Sequence, residues 1–219
     1  MSNYSCIFFD LDGTLTDPGL GITNAVMYAL ERFGISVAER SSLYRFIGPP
    51  LIDSFTEFYG FSDADARLAV SCYREYYADK GLFENTPYPG IAEVLARLRG
   101  SGRKLLVATS KPDGFSRQIL ERFDLMQYFD FLAGAAMDET RTKKSEVIDW
   151  ALEHCTEVPR SEILMVGDRR HDVLGAKECG IDCVGVEFFG YAAPNELVDA
   201  GAIAVARDAD ELERILETL

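Results

Sequence analysis

The stretch Cys6-Ile7-Phe8-Phe9-Asp10-Leu11-Asp12-Gly13-Thr14 runs from four apolar residues straight into an acidic, glycine-containing turn. An unbroken apolar run of this length suits a strand buried on both faces of a parallel sheet. In an open parallel sheet, ligands sit beyond the carboxyl ends of the strands, near the point where the strand order reverses. Strand alternation would place Asp10 and Asp12 on one side, within reach of a single reacting group. One carboxylate of such a pair can attack phosphorus. The other can protonate a leaving alcohol and then deprotonate an attacking water. Gly13 lets the chain turn sharply after the pair. Taken alone, the same letters fit an ordinary strand-end turn or helix cap equally well.

Working outward, three further runs have the texture of the first: Leu105 to Ala108, Ile163 to Val166 and Cys183 to Val186. Helical patterns lie between them at Ile91 to Arg99, Phe115 to Phe123, Ser145 to Leu152 and Asp172 to Glu178. This alternation predicts an α/β fold, a doubly wound parallel sheet. Gly201 to Val205 and Asp208 to Leu216 read as a last strand and helix.

One segment breaks the alternation. From about Pro18 to Glu84 the pattern is helical, broken at Gly34, Gly48-Pro49-Pro50, Gly60 and Gly81. Asp17-Pro18 resembles a cap followed by proline at the first helical position, and Ser62 to Asp65 a second helix start. The expected organisation is a core of residues 1–16 and 86–219, with residues 17–85 as a helical insertion.

Polar residues cluster where the strands end. Thr109-Ser110-Lys111 follows the second strand and Gly167-Asp168 a later one, so three carboxylates and a hydroxyl are expected at one sheet edge. Such a cluster is costly without a cation. With only two histidines, His154 and His171, carboxylates must hold any metal, which favours a hard ion such as magnesium.

The bulk numbers fit a globular protein with room for one large core, or one core plus a small appended domain. The chain has 219 residues, 47% hydrophobic and 26% charged, with a formal net charge of −14. That charge opposes nucleic acid and anionic membranes as partners, while a bound cation still admits a small anionic substrate. No run approaches the ~20 apolar residues of a membrane span, and the start lacks a signal-peptide pattern. Five scattered cysteines argue against a disulfide framework. A cytoplasmic protein, monomer or homodimer, is expected.

The string FFDLDGTLTD resembles the first signature of the haloacid dehalogenase superfamily in its phosphatase branch. Thr109 in LLVATSK, Lys144 in RTKKSEVI, and Asp168 with Asp172 in VGDRRHD resemble the second, third and fourth signatures, in order. The resemblance implies a Rossmann-like core and a Mg2+-dependent phosphatase working through an aspartyl-phosphate. Asp10 would be nucleophile and metal ligand, and Asp12 the general acid/base, lending its backbone carbonyl to the metal. Asp168 would be the acidic ligand, with Asp172 ligating through water or orienting Lys144. Thr109 and the Ser110 amide would hold the phosphate with Lys144. Lys144 is preferred to Lys143 because it abuts the helix SEVIDWAL. Lys111 and Arg169 are expected to be solvated flanking charges.

The insertion falls where the family carries its helical, C1-type cap, and capped members act on small phosphorylated metabolites. Arg45 to Leu51 resembles the specificity loop of phosphoglycolate phosphatase-like members, making Arg45 and Gly48 possible specificity positions. The insertion's aromatics read as core rather than as a nucleobase platform. Phosphoglycolate phosphatase-like activity leads, with 5′-nucleotidase, pyrophosphatase or β-phosphoglucomutase-like sugar-phosphate mutase as alternatives. A dehalogenase has no use for Asp12, and Lys80 is poorly placed in the insertion to serve as a phosphonatase Schiff-base lysine.

Overall fold

The structure is a computed structural model that describes residues 4–137, 140–188 and 191–219. The chain divides into two compact units, Met1–Thr16 with Pro87–Leu219, and Asp17–Thr86.

The larger unit is built on six parallel strands: β1 (Cys6–Phe9), β4 (Lys104–Pro112), β5 (Phe131–Ala135), β6 (Ile163–Gly167), β7 (Asp182–Val186) and β8 (Ala204–Ala206). Their order is β5-β4-β1-β6-β7-β8. β1 lies between β4 and β6, with Cys6 opposite both Lys104 and Ile163 and Phe9 opposite Val107 and Val166. All four β1 residues are buried, as their unbroken apolar run requires. The chain builds outward from β1 to β4 and β5, then returns to β6 on the other side, so the strand order reverses beside β1. The short strands β2 (Thr16–Asp17) and β3 (Thr86–Pro87) pair where the chain crosses between the units.

Helices α4 (Ile91–Gly100), α5 (Asp113–Arg122), α6 (Lys144–Leu152), α7 (Arg170–Glu178), α8 (Glu196–Ala200) and α9 (Ala209–Thr218) complete this unit. Val147, Ile148 and Ala151 of α6 and Val173 and Ala176 of α7 pack on Phe8, Leu106 and Met165 of the sheet. The α6 start is capped by Glu146, whose Oε2 accepts from the Thr142 and Lys143 amides at 2.9 and 3.0 Å.

Not every element follows the sequence expectation. β5 is not among the apolar runs picked out from the sequence, because Phe131-Leu132-Ala133-Gly134-Ala135 lacks the β-branched residues of its neighbours. β4 runs on through Thr109, Ser110 and Lys111, which therefore lie within its irregular end and not after it.

The smaller unit contains α1 (Gly19–Arg32), α2 (Leu51–Tyr59) and α3 (Asp63–Asp79), with 3₁₀ turns at Arg40–Phe46 and Gly81–Phe83. Ser62 caps α3 by accepting from the Asp65 amide at 3.2 Å. Pro18 stands just before α1, and Asp17 Oδ1 accepts from the Gly19 amide at 2.9 Å. The aromatics pack on one another: Phe46 meets Phe55 edge-on at 5.1 Å, and Phe55 stacks with Phe61 at 5.8 Å. A Cβ on Gly21 would stand 2.1 Å from the Gly81 carbonyl oxygen, so two backbones meet there and only glycine fits. Among the described residues, no helix is long and apolar enough to cross a membrane.

Candidate active site

At the carboxyl ends of β1, β4 and β6, Asp10, Asp12, Thr109, Lys144, Asp168 and Asp172 are all buried. The Asp10 amide extends the sheet by donating to the Val166 carbonyl at 2.9 Å, which fixes the first carboxylate beside β6. Asp12 is no longer in the strand. It belongs to a turn closed by the Leu15 amide on the Leu11 carbonyl at 2.9 Å and by the Gly13 amide on Thr16 at 2.8 Å. Strand alternation is thus not what brings Asp12 to the site; the turn does. Gly13 adopts φ +86, and a Cβ there would lie 2.0 Å from Asp168 Oδ2, so the turn demands glycine for conformation and for space.

Lys144 joins the parts. Its Nζ donates to Asp10 Oδ1 at 2.6 Å and to the Ala108 carbonyl at 3.0 Å, and pairs with Asp172 Oδ1 at 2.7 Å. Burial works against its charge, but the two aspartates outweigh burial and push its pKa up, so the amine stays protonated. The neighbouring Lys143 is exposed. Asp172 is doubly held, since its Oδ2 also accepts from the Arg169 amide at 2.9 Å.

Asp168 is in the opposite condition. Among the described residues, neither of its buried carboxylate oxygens has a hydrogen-bond partner. Burial, reinforced by Asp172 and Asp10, raises its pKa well above the ordinary carboxylate range, with Arg169 and Lys144 opposing. One carboxylate oxygen from each of Asp10, Asp168 and Asp172 falls within a span of 4.8 Å. An all-oxygen donor set with unsatisfied buried lone pairs fits a hard divalent cation such as magnesium.

Two charges expected to be solvated are buried ion-pair members. Lys111 donates to Asp12 Oδ2, and its amide donates to Thr109 Oγ1 at 3.2 Å. Burial raises the Asp12 pKa, and Lys111 opposes that rise. The signal for Lys111 was its two-residue spacing from Thr109, which in a strand puts both side chains on one face. Arg169 pairs through Nε with Glu196 Oε1 at 2.9 Å. Glu196 also accepts from the Arg170 and Ala193 amides, each at 2.9 Å, and so pins the turn that presents Asp168. Nothing in the local sequence flags Glu196, which arrives from α8.

Ser110 lies beside Thr109 in β4, partly exposed. Arg45 and Gly48 belong to the helical unit. Arg45 is exposed in the Arg40–Phe46 turn with its guanidinium 4.2 Å from the centre of the Phe58 ring, and Gly48 has φ +102.

The sequence profile described as haloacid dehalogenase-like hydrolase matches residues 7–186. A Pseudomonas aeruginosa protein named 5′-nucleotidase is 43% identical, the match covering 98% of this chain and 96% of that one. A Mycobacterium tuberculosis protein named tyrosine-protein kinase PtkA is 37% identical, over 97% of this chain and 72% of that one. The crystal structure of a predicted phosphatase from Clostridium acetobutylicum superposes with a TM-score of 0.94 at 43% identity, covering 99% of each chain.

Proposed function

The chain belongs to the haloacid dehalogenase-like hydrolase family, and from that premise we propose that it is a magnesium-dependent phosphatase of small phosphate monoesters. One observation carries the reading: the Lys144 amine bridges Asp10 and Asp172 beside an Asp168 whose two buried oxygens have no hydrogen-bond partner among the described residues.

Asp10 and Asp168, with the Asp12 backbone carbonyl, would hold the cation, and Asp172 beside them would ligate through water or orient Lys144. When bound, such an ion offsets the charge of the carboxylates and of the phosphate, so that two anions can approach each other. The chain's own residues then divide the work. Asp10 attacks phosphorus; a bond forms from its carboxylate oxygen to phosphorus as the bond to the leaving oxygen breaks. Asp12 gives that oxygen its proton, then takes one from the water that attacks the aspartyl-phosphate, which restores both aspartates and releases inorganic phosphate. Thr109, the Ser110 amide and Lys144 hold the phosphoryl oxygens as charge develops on them. Lys111 orients Asp12.

The helical unit inserted after this turn acts in the proposal as a cap that selects leaving groups, with Arg45 and Gly48 as specificity positions. Its place in the chain order supports this. The 43%-identical relative named 5′-nucleotidase supports nucleoside monophosphates as substrates to test beside 2-phosphoglycolate. The net charge of −14 supports a small metabolite in preference to nucleic acid.

A panel of phosphate monoesters assayed for phosphate release, with magnesium and with chelator, tests the reading. Metal-dependent release from a subset of small esters is expected. Rearranged sugar phosphate formed without release would identify a mutase, and activity untouched by chelator would overturn the metal assignment.

A further inference from the structure

Lys144 reaches three acceptors at once, and a long flexible amine does so reproducibly only when its backbone is held at the right distance. What holds it lies outside the site. Arg141, three residues before Lys144, touches three elements. Its Nε donates to the Gly134 carbonyl of β5 at 2.9 Å, and its Nη2 donates to Asp113 Oδ2, at the head of α5, at 3.2 Å. The guanidinium carbon lies 5.0 Å from the centre of the Trp150 ring on α6. Its own carbonyl accepts from the Ala136 amide at 3.0 Å.

Asp113 closes the clasp from the other side, because its Oδ1 accepts from the Gly134 amide at 2.5 Å. A Cβ on Gly134 would stand 2.5 Å from that oxygen and 2.8 Å from the Lys111 carbonyl, so β5 and the end of β4 approach at backbone distance. Beyond Arg141 the Thr142 and Lys143 amides are held by Glu146. The chain from Arg141 to Lys144 is therefore fixed at both ends. The elements joined are β5, the head of α5 that directly follows the end of β4, and α6, which carries Lys144.

We propose that Arg141 is a positioning residue: its clasp on Asp113 and Gly134, with its stacking on Trp150, sets the start of α6 so that the Lys144 amine meets Asp10. The proposal rests on Lys144 belonging to the phosphatase site. A guanidinium serves better here than an ammonium, being planar enough to stack and forked enough to bridge a carbonyl and a carboxylate. A partly exposed ion pair adds little to stability. Misplacing a catalytic group by 1 Å, in contrast, costs about a hundredfold in rate.

The test uses the full chain with magnesium and p-nitrophenyl phosphate, comparing Arg141→Ala, Arg141→Lys, Asp113→Asn and Lys144→Met with wild type. Trp150 is the only tryptophan, so its emission reports the stacking directly. Arg141→Ala is expected to lower kcat about ten- to hundredfold, more than it changes KM, with a thermal midpoint within about 5 °C of wild type and a shifted emission. Arg141→Lys should recover part of that loss, and Asp113→Asn should fall between. Wild-type kcat in Arg141→Ala with a shifted Trp150 emission overturns the proposal, because the clasp is then gone and the reaction does not register it. If Arg141→Ala does not fold, wild-type kcat in both other clasp variants overturns it. Lys144→Met separates the two levels. Full activity there removes Lys144 from the site, whereas an inactive Lys144→Met beside a fully active Arg141→Ala removes only the role given to Arg141.

Discussion

Asp12 carries two opposed influences, burial raising its pKa and Lys111 holding it down. The ion pair between them is buried on both sides, so neither charge is discounted by solvent. Removing Lys111 disfavours the carboxylate, and the sign follows: the Asp12 pKa moves up. With an alkyl phosphate, whose leaving oxygen needs a proton, Lys111→Met should shift the alkaline limb of the kcat profile to higher pH and lower kcat at least tenfold. A limb that stays put or moves down would separate Lys111 from Asp12. This pair also marks where residue-level reading fails. A lysine flanking a motif is usually solvated, and its true partner lies 99 positions away in sequence. Arg169 was misjudged for the same reason, since Glu196 comes from α8.

Elements were legible in proportion to how strongly burial constrains their composition. β1 could be bounded to the residue because both of its faces are covered and no polar side chain fits. β5 lies at the edge of the sheet, where alanine and glycine suffice, and its sequence leaves no periodic trace. α8 is five residues long, too short to show a helical period. The β5 edge is nevertheless tied down. The Asp130 carboxylate accepts from Arg99 at 2.6 Å and from the Leu105 amide at 3.1 Å. Burial pushes its pKa up, but Arg99 and the amide outweigh burial, and the net shift is downward. A depressed folded pKa gives stability that is full above the unfolded value of about 3.9 and is lost as pH falls through the folded one. Asp130→Asn should therefore cost about 0.5–1 kcal/mol in urea unfolding at pH 7, with the difference from wild type vanishing in strong acid. A gap independent of pH would show that the charge plays no part.

For the whole molecule, the acid cluster is a liability that folding accepts only if something offsets it. Three buried carboxylates share one site in a chain of net charge −14, and among the described residues neither Asp168 oxygen has a hydrogen-bond partner. A cation that binds the folded chain alone adds stability by mass action, about 2.7 kcal/mol at a hundred times its Kd. Magnesium should raise the thermal midpoint, chelator should reverse the rise, and Asp168→Asn should abolish it while itself folding as well as the metal-free wild type. No shift with magnesium would contradict the metal site without any assay of activity. At this scale the four ordered motifs made the family readable from sequence, whereas the clasp around Arg141 required the structure, because its three contacts come from separate elements. The measurement that bears most directly on the central claim is turnover of p-nitrophenyl phosphate with magnesium by Asp10→Asn. Loss of essentially all turnover is expected, in a protein that unfolds like wild type, whereas a folded, fully active Asp10→Asn would contradict the role given to Asp10.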